Sequence, residues 1–157
     1  MALHLATIHW TNSEHGSFAK GEYSREHTWT FDGGMTIAAS PAPAIVPAPW
    51  SNAASVDPEE AFVAAISSCH LLTFLWVASR AEMDVRSYHD RAVGRMTPNE
   101  SGRLWVSRVE LSPEITWADG GAPSAAREAE LHHLTHEECY IANSVRTEIV
   151  VIPGARA

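Results

Sequence analysis

Near its start the chain alternates: Leu3, Leu5, Thr7 and His9 interleave with His4, Ala6 and Ile8. This predicts a strand over about 3–11, although its two faces are not cleanly separated. A polar, Gly-containing segment follows from Ser13 to Arg25. His27-Thr-Trp-Thr-Phe31 then has strand chemistry, and Asp32-Gly33-Gly34 reads as a hairpin turn into a second strand, Met35 to Ala39. Between Ser40 and Trp50 there are four prolines in eleven residues. That density excludes a helix or a central strand and predicts an extended loop over the core.

A helix start comes next. Asp57 stands at the N-cap position, Pro58 at the first helical position, and Glu59 and Glu60 in the first turn, where the helix dipole favours carboxylates. The helix continues through Phe62, Ile66, Cys69, Thr73 and Trp76, at spacings of three and four, to Arg80. Leu72 and Leu75 flank that stripe, so the helix is apolar nearly all round and is predicted to be central to the core. Two strand-like stretches, about 85–96 and 104–117, are separated by the turn-forming Pro98-Asn-Glu-Ser-Gly102 and predict a meander. A second helix is predicted from Ser124, a candidate cap, to about Glu137, with Arg127, Glu128 and Glu130 on its wet side. A β-rich stretch from Val145 to Ile152 precedes Pro153-Gly154. There is no internal repeat.

Composition narrows the classes. With 157 residues, 45% of them apolar, the chain can bury one sizeable core and is predicted to form a single domain over 1–157. Eleven basic against 19 acidic side chains give a formal charge of −8, which argues against nucleic acid or an anionic membrane as the main partner. No stretch approaches the ~20 apolar residues of a bilayer span, and Met1 to Trp10 lacks a basic segment followed by an apolar run. The expectation is a cytoplasmic protein.

The two cysteines are too few for a secreted disulfide scaffold. They read as buried hydrophobes, metal ligands or a redox pair, and composition alone favours the first. A peroxidatic cysteine has to be a thiolate near neutral pH, which in apolar surroundings requires a nearby cation, best an arginine. A second cysteine then has to reach the sulfenic acid before it over-oxidises. Cys139, expected in a mobile region after the second helix, suits that role.

Two motifs add a family. Asp57-Pro-Glu-Glu-Ala-Phe-Val-Ala-Ala-Ile-Ser-Ser-Cys69-His resembles the Pro-Glu-Glu-Leu to Ser/Ala-Cys helix of the OsmC/Ohr family. His136-Glu-Glu-Cys139-Tyr-Ile-Ala-Asn-Ser144 resembles its resolving-cysteine segment, and the order of elements agrees. The resemblance implies an α+β fold with an antiparallel β-sheet wrapped around a long central helix, and an intertwined homodimer. It implies reduction of organic hydroperoxides, regeneration by a dithiol or lipoylated protein, and no metal or nucleotide cofactor. Carried over by position, Cys69 is the peroxidatic thiol, Cys139 the resolving thiol and Glu59 the carboxylate that orients a catalytic arginine. In part of the family that arginine precedes the Pro-Glu motif by about ten residues, but here the stretch Pro47-Ala-Pro-Trp50 has no basic residue. Elsewhere in the family it follows the first strand, where Tyr23-Ser-Arg25-Glu-His27 offers Arg25, with His27 able to share the role. Ten helical steps between Glu59 and Cys69 span ~15 Å, so for both to meet one guanidinium, one of them has to come from a partner subunit. Phe62, Ile66, Trp76 and His27 are the candidate substrate contacts.

Two other readings stand beside this one. His132, His133, His136 and Cys139 cluster, with His70 beside Cys69, and could bind a metal, although the spacing matches no recognised zinc pattern. Alternatively, a dimeric non-catalytic protein could hold a lipophilic ligand in a cleft lined by Phe62, Trp76 and Trp50.

Overall fold

A computed structural model describes residues 2–12, 16–118 and 121–153. Ser13, where the predicted polar segment begins, and Gly154 of the closing Pro-Gly lie outside the described residues. The fold is α+β, with two α-helices and three small sheets among the described residues. The chain groups into two compact units, Met1–Ala61 and Phe62–Ala157.

In the first unit, β1 (Ala6–His9), β2 (His27–Phe31) and β3 (Thr36–Ala39) form an antiparallel sheet in the order β1-β2-β3. β1 is shorter than predicted, and Leu3 and Leu5 before it are exposed, so no burial extends the strand. The predicted β2–β3 hairpin is present: Gly34 N donates to Phe31 O at 2.9 Å, and Gly34 takes φ 85°, a left-handed conformation that glycine adopts without a Cβ clash. The segment after Trp10 is not simply polar. Phe18 stacks on Tyr23 at 4.4 Å, and Trp10 closes on both rings. The proline-rich loop is a succession of turns rather than an extended strap, closed by Val46 N to Ala42 O at 3.0 Å and Trp50 N to Pro47 O at 3.2 Å. Proline's fixed φ suits the second position of a turn as well as an extended chain.

α1 (Pro58–Arg80) begins with a reciprocal cap. Glu60 N donates to Asp57 Oδ1 at 2.8 Å, while Asp57 N donates to Glu60 Oε1 at 2.9 Å. By length and composition this helix is able to cross a bilayer, which corrects the expectation that no stretch approaches that length. Its charges lie only at the ends, and its Ala, Ser, Thr and Cys residues lengthen the apolar run without being large hydrophobes. Here it is a core helix, buried along Ile66, His70, Phe74, Val77 and Ala78 only. Leu72, at 65% exposure, and Trp76, at 52%, correct the prediction of burial nearly all round.

Each long strand-like stretch of the second unit is broken in two: β4 (Val85–Asp90) and β5 (Val93–Pro98), then β6 (Leu104–Leu111) and β7 (Pro113–Trp117). β5 pairs with β6 and β4 with β7, so the predicted meander is one long antiparallel hairpin with a bend. Asp90 holds the bend. It accepts from Ser112 N through Oδ1 at 2.7 Å and from the Ser67 hydroxyl of α1 through Oδ2. β8 (Glu148–Val151) then pairs with β6 in parallel, which corrects the all-antiparallel expectation. The intervening β7 and α2 (Ala125–Glu138) supply the long crossover that a parallel pair needs.

Two apolar clusters hold this unit. Phe74, Val77, Ala78 and Leu131 pack with Tyr88, Ile115 and Trp117. Ile66, Val109 and Leu111 pack with Phe62, Val63, Ile141 and Ile149. Gly94 marks a close approach of β5 to α1, since a Cβ there would come within 2.5 Å of Val63 Cγ2.

Candidate active site

α1 and the end of α2 bring the two thiols together across 70 residues of sequence. The Cys139 thiol donates to Cys69 Sγ at 2.8 Å, with both cysteines unbonded. Cys139 is the C-cap residue of α2, whose start is fixed as predicted by Ser124 Oγ accepting from Arg127 N at 3.2 Å. It is fully buried, and a one-turn 3-10 helix, Ala142–Ser144, begins three residues later. In that turn Ala142 N points to Cys139 Sγ at 3.5 Å and Ile141 N to Cys69 Sγ at 3.4 Å. Cys69 Sγ thus faces two donors, a thiol and a backbone N–H. Burial and the bond to Cys69 push the Cys139 thiol up to about 11. At neutral pH Cys139 therefore keeps its proton and stays the donor of the pair.

Cys69 is half-buried and opens onto a cleft of about 570 Å³ lined by Ala65, Leu72, Thr73, Trp76, Tyr140 and Ile141, among others. Glu138 is its charged lining residue. Arg80 lies over the Trp76 ring at 5.4 Å. Of the candidate substrate contacts, Trp76 lines this cleft. Ile66 does not: at 1% exposure it is locked in the core with Val109 and Leu111. Phe62 packs on the same cluster and borders a different depression, with Trp105 and Val145. The stripe read from the sequence runs along the border between the core face and the cleft face, whose centres are about 140° apart at ~100° per residue. Residues on it therefore divide between the two. Leu72, Tyr140 and Ile141 were missed, although they stand three residues after Cys69 and directly after Cys139.

The first unit holds the other candidates. Arg25 Nη1 donates to Gly21 O at 3.3 Å and Tyr23 O at 3.0 Å, and the guanidinium lies 4.1 Å from the Tyr23 ring centroid. This cation is anchored, not a loose surface arginine. His27 Nδ1 contacts Arg25 O at 2.8 Å, and His27 Nε2 accepts from Trp29 Nε1 at 2.8 Å. Trp50 offers its carbonyl to Arg25 N at 3.1 Å. Glu59 sits half-exposed in the first turn of α1, which is continuous through Cys69, the condition for the ~15 Å separation drawn above.

The histidines do not converge. Among the described residues no group of three or more His, Cys, Asp or Glu side chains could hold a metal ion. His133 faces outward toward Glu137 at 3.5 Å, whereas His132 turns inward, with Nδ1 3.0 Å from His70 Nε2. Both inner rings are kept neutral. Burial, with the charges of His132 and His136 adding to it, lowers His70 to about 3, and burial lowers His132 to about 4. In the unfolded chain both would protonate near 6.5. Their contribution to stability is therefore fully present above pH 6.5 and is lost as pH falls toward 4 and then 3. The thermal midpoint of the wild type is expected to fall between pH 6.5 and 4 more steeply than that of a His70→Leu/His132→Leu protein; equal slopes would refute the assignment.

Comparison with known proteins follows this geometry. The sequence model of one family, described as OsmC-like protein, matches residues 51–153. The chain is similar to an OsmC-like protein of unknown function from Vibrio cholerae, at 46% identity, covering 98% of this chain and 99% of that one, with a TM-score of 0.92. It is similar in fold to an organic hydroperoxide resistance protein from Elizabethkingia anophelis (19% identity, 98% and 94% covered, TM-score 0.72). It is likewise similar to one from Legionella pneumophila (16% identity, 98% and 96% covered, TM-score 0.69). No curated protein matches significantly.

Proposed function

Since this chain belongs to the OsmC-like family, we propose that it is a thiol-dependent peroxidase that reduces organic hydroperoxides to alcohols. The observation that carries the reading is the 2.8 Å approach of Cys139 Sγ to Cys69 Sγ at the floor of an apolar cleft. Cys69 thiolate attacks the distal peroxide oxygen, the O–O bond breaks, and the alkoxide leaves and is protonated to the alcohol. Cys69 is left as a sulfenic acid. The Cys139 sulfur then displaces its hydroxyl, forming the Cys69–Cys139 disulfide and water. An external dithiol or lipoylated protein restores both thiols. Two fold relatives carry the name organic hydroperoxide resistance protein, which agrees with this substrate class.

The remaining assignments rest on the family resemblance. Arg25 supplies the activating cation and Glu59 orients it, in a homodimer working in the cytoplasm. Exposed Leu72, Leu75 and Trp76 on α1 support a partner covering that face. The same apolar lining favours alkyl and aryl hydroperoxides over hydrogen peroxide, which gains nothing from apolar burial.

Intact-mass analysis after one equivalent of cumene hydroperoxide tests the reading. The expected product is a loss of about 2 Da, absent in Cys139→Ser, where a gain of about 16 Da marks the stranded sulfenic acid. Hydrogen peroxide is expected to react more slowly. Unchanged mass in the wild type would overturn the proposal.

A further inference from the structure

The His70–His132 pair has no part in the chemistry above, yet it spans the same two helices as the thiols. His70 follows Cys69 on α1, and His132 precedes Cys139 by seven residues on α2. The rings are 97–98% buried by their 2% and 3% exposures, and they meet at 3.0 Å, Nε2 to Nδ1. Their centroids lie 5.3 Å apart with the planes within 15°, so the rings meet edge to edge, and Phe74, one turn further along α1, stacks on His132 at 4.5 Å. His70 and Phe74 of α1 thus both contact one ring of α2.

Burying this pair is costly. His132 Nε2 is sealed from solvent with no hydrogen-bond partner among the described residues, whereas two leucines of similar volume would leave nothing unsatisfied. What the polar pair adds is register. Apolar helix faces can slide or tilt past one another with little penalty, but a buried hydrogen bond is satisfied in only one arrangement. From His132 to Cys139 is ~10.5 Å along the helix, so a tilt of α2 by about 10° around the histidine contact would move Cys139 by about 2 Å. That is enough to break a 2.8 Å sulfur contact.

We propose that His70 and His132 are positioning residues for the disulfide step: their hydrogen bond holds the end of α2 at the tilt that keeps Cys139 Sγ against Cys69 Sγ. The inference rests on the peroxidase reading for its biological meaning, but its test does not. Equilibration with reduced and oxidised glutathione forms the same disulfide, with the oxidised glutathione reduced to two thiols, and measures the effective concentration of Cys139 at Cys69 without any peroxide.

The variants exploit ring geometry. In His132→Asn the amide occupies the place of Nδ1, and the bond to His70 persists; in His132→Gln the amide occupies the place of Nε2, and the bond is lost. At His70 the preferences reverse, with Gln keeping the bond and Asn losing it. The expected result is an effective concentration within about threefold of wild type for His132→Asn and His70→Gln, and a fall of about tenfold or more for His132→Gln and His70→Asn. Circular dichroism identifies folded variants, and either position alone decides the outcome if one variant fails to fold. Equal effective concentrations in the bond-keeping and bond-losing variants, whether both high or both low, would overturn the proposal. A wild type that forms this disulfide in glutathione but not with hydroperoxide would instead overturn the peroxidase reading and leave the positioning role standing.

Discussion

Cys69→Ser is expected to abolish hydroperoxide turnover, lowering kcat/KM by about a thousandfold or more, equivalent to ~4 kcal/mol of transition-state stabilisation. A serine hydroxyl keeps its proton far above neutral pH and is a poor nucleophile toward an O–O bond, whereas a thiolate is a strong one. The substitution is structurally mild. Cys69 is half-buried at the cleft floor, outside both apolar clusters, so losing the larger sulfur opens little new cavity. Residual cumene hydroperoxide, followed with dithiothreitol as reductant, gives the rate, and a thermal midpoint within a few degrees of wild type separates lost chemistry from lost fold. Cys139→Ser differs in kind, because its first turnover survives and only recycling suffers. Undiminished turnover in Cys69→Ser would discard Cys69 as the peroxidatic thiol; no turnover in the wild type would leave the cleft as a binding site for a lipophilic ligand.

The largest expected effect on stability is that of Phe74→Ala. Phe74 is fully buried at the centre of its cluster, with ring centroids 4.5 Å from His132, 5.8 Å from Tyr88 and 6.1 Å from Trp117. Its three aromatic neighbours come from α2, β4 and β7 and cannot all collapse into the space that it leaves. Truncations of this kind cost about 3–5 kcal/mol, a large part of the ~5–15 kcal/mol that holds a domain of this size. Urea unfolding should show the midpoint falling with little change in slope. Leu72→Ala, two residues away and 65% exposed within the single chain, is the contrasting position, expected to cost markedly less than Phe74→Ala because it empties no space inside the protomer's core. Equal losses at both positions would contradict the described core.

These two neighbours also show what could be read in the sequence. The start of α1 was legible because its cap is local: Asp57, Pro58 and Glu60 complete their bonds within four residues. The turn at Gly34 and the Ser124 cap were legible for the same reason. Which side of α1 faces inward was not, because a helix apolar nearly all round carries little periodic signal. Phe74 went unnamed and Ile66 was assigned to substrate. The break after Leu111 carries a local sign in Pro113, whereas the one after Asp90 has no proline or glycine beside it; the bend itself is fixed by bonds from α1 and across the hairpin. The thiols were found through their motifs. The clustered histidines were seen with His70 beside them, but as metal ligands and not as a buried hydrogen-bonded pair, since only the packing of α2 on α1 selects His70 for His132.

Asp90 joins three elements through one carboxylate, and this gives the bend an unusual intolerance to a shape-preserving change. A carboxylate presents acceptors on both sides, whereas an asparagine presents an acceptor on one and a donor on the other. Facing Ser112 N–H, only the amide oxygen serves, so the amide group would point at Ser67, whose hydroxyl would have to reverse and accept. Asp90→Asn can therefore keep both contacts only in a single orientation of each group. The hinge of the long hairpin is thus specified by hydrogen-bond polarity, at a place where volume and charge count for less.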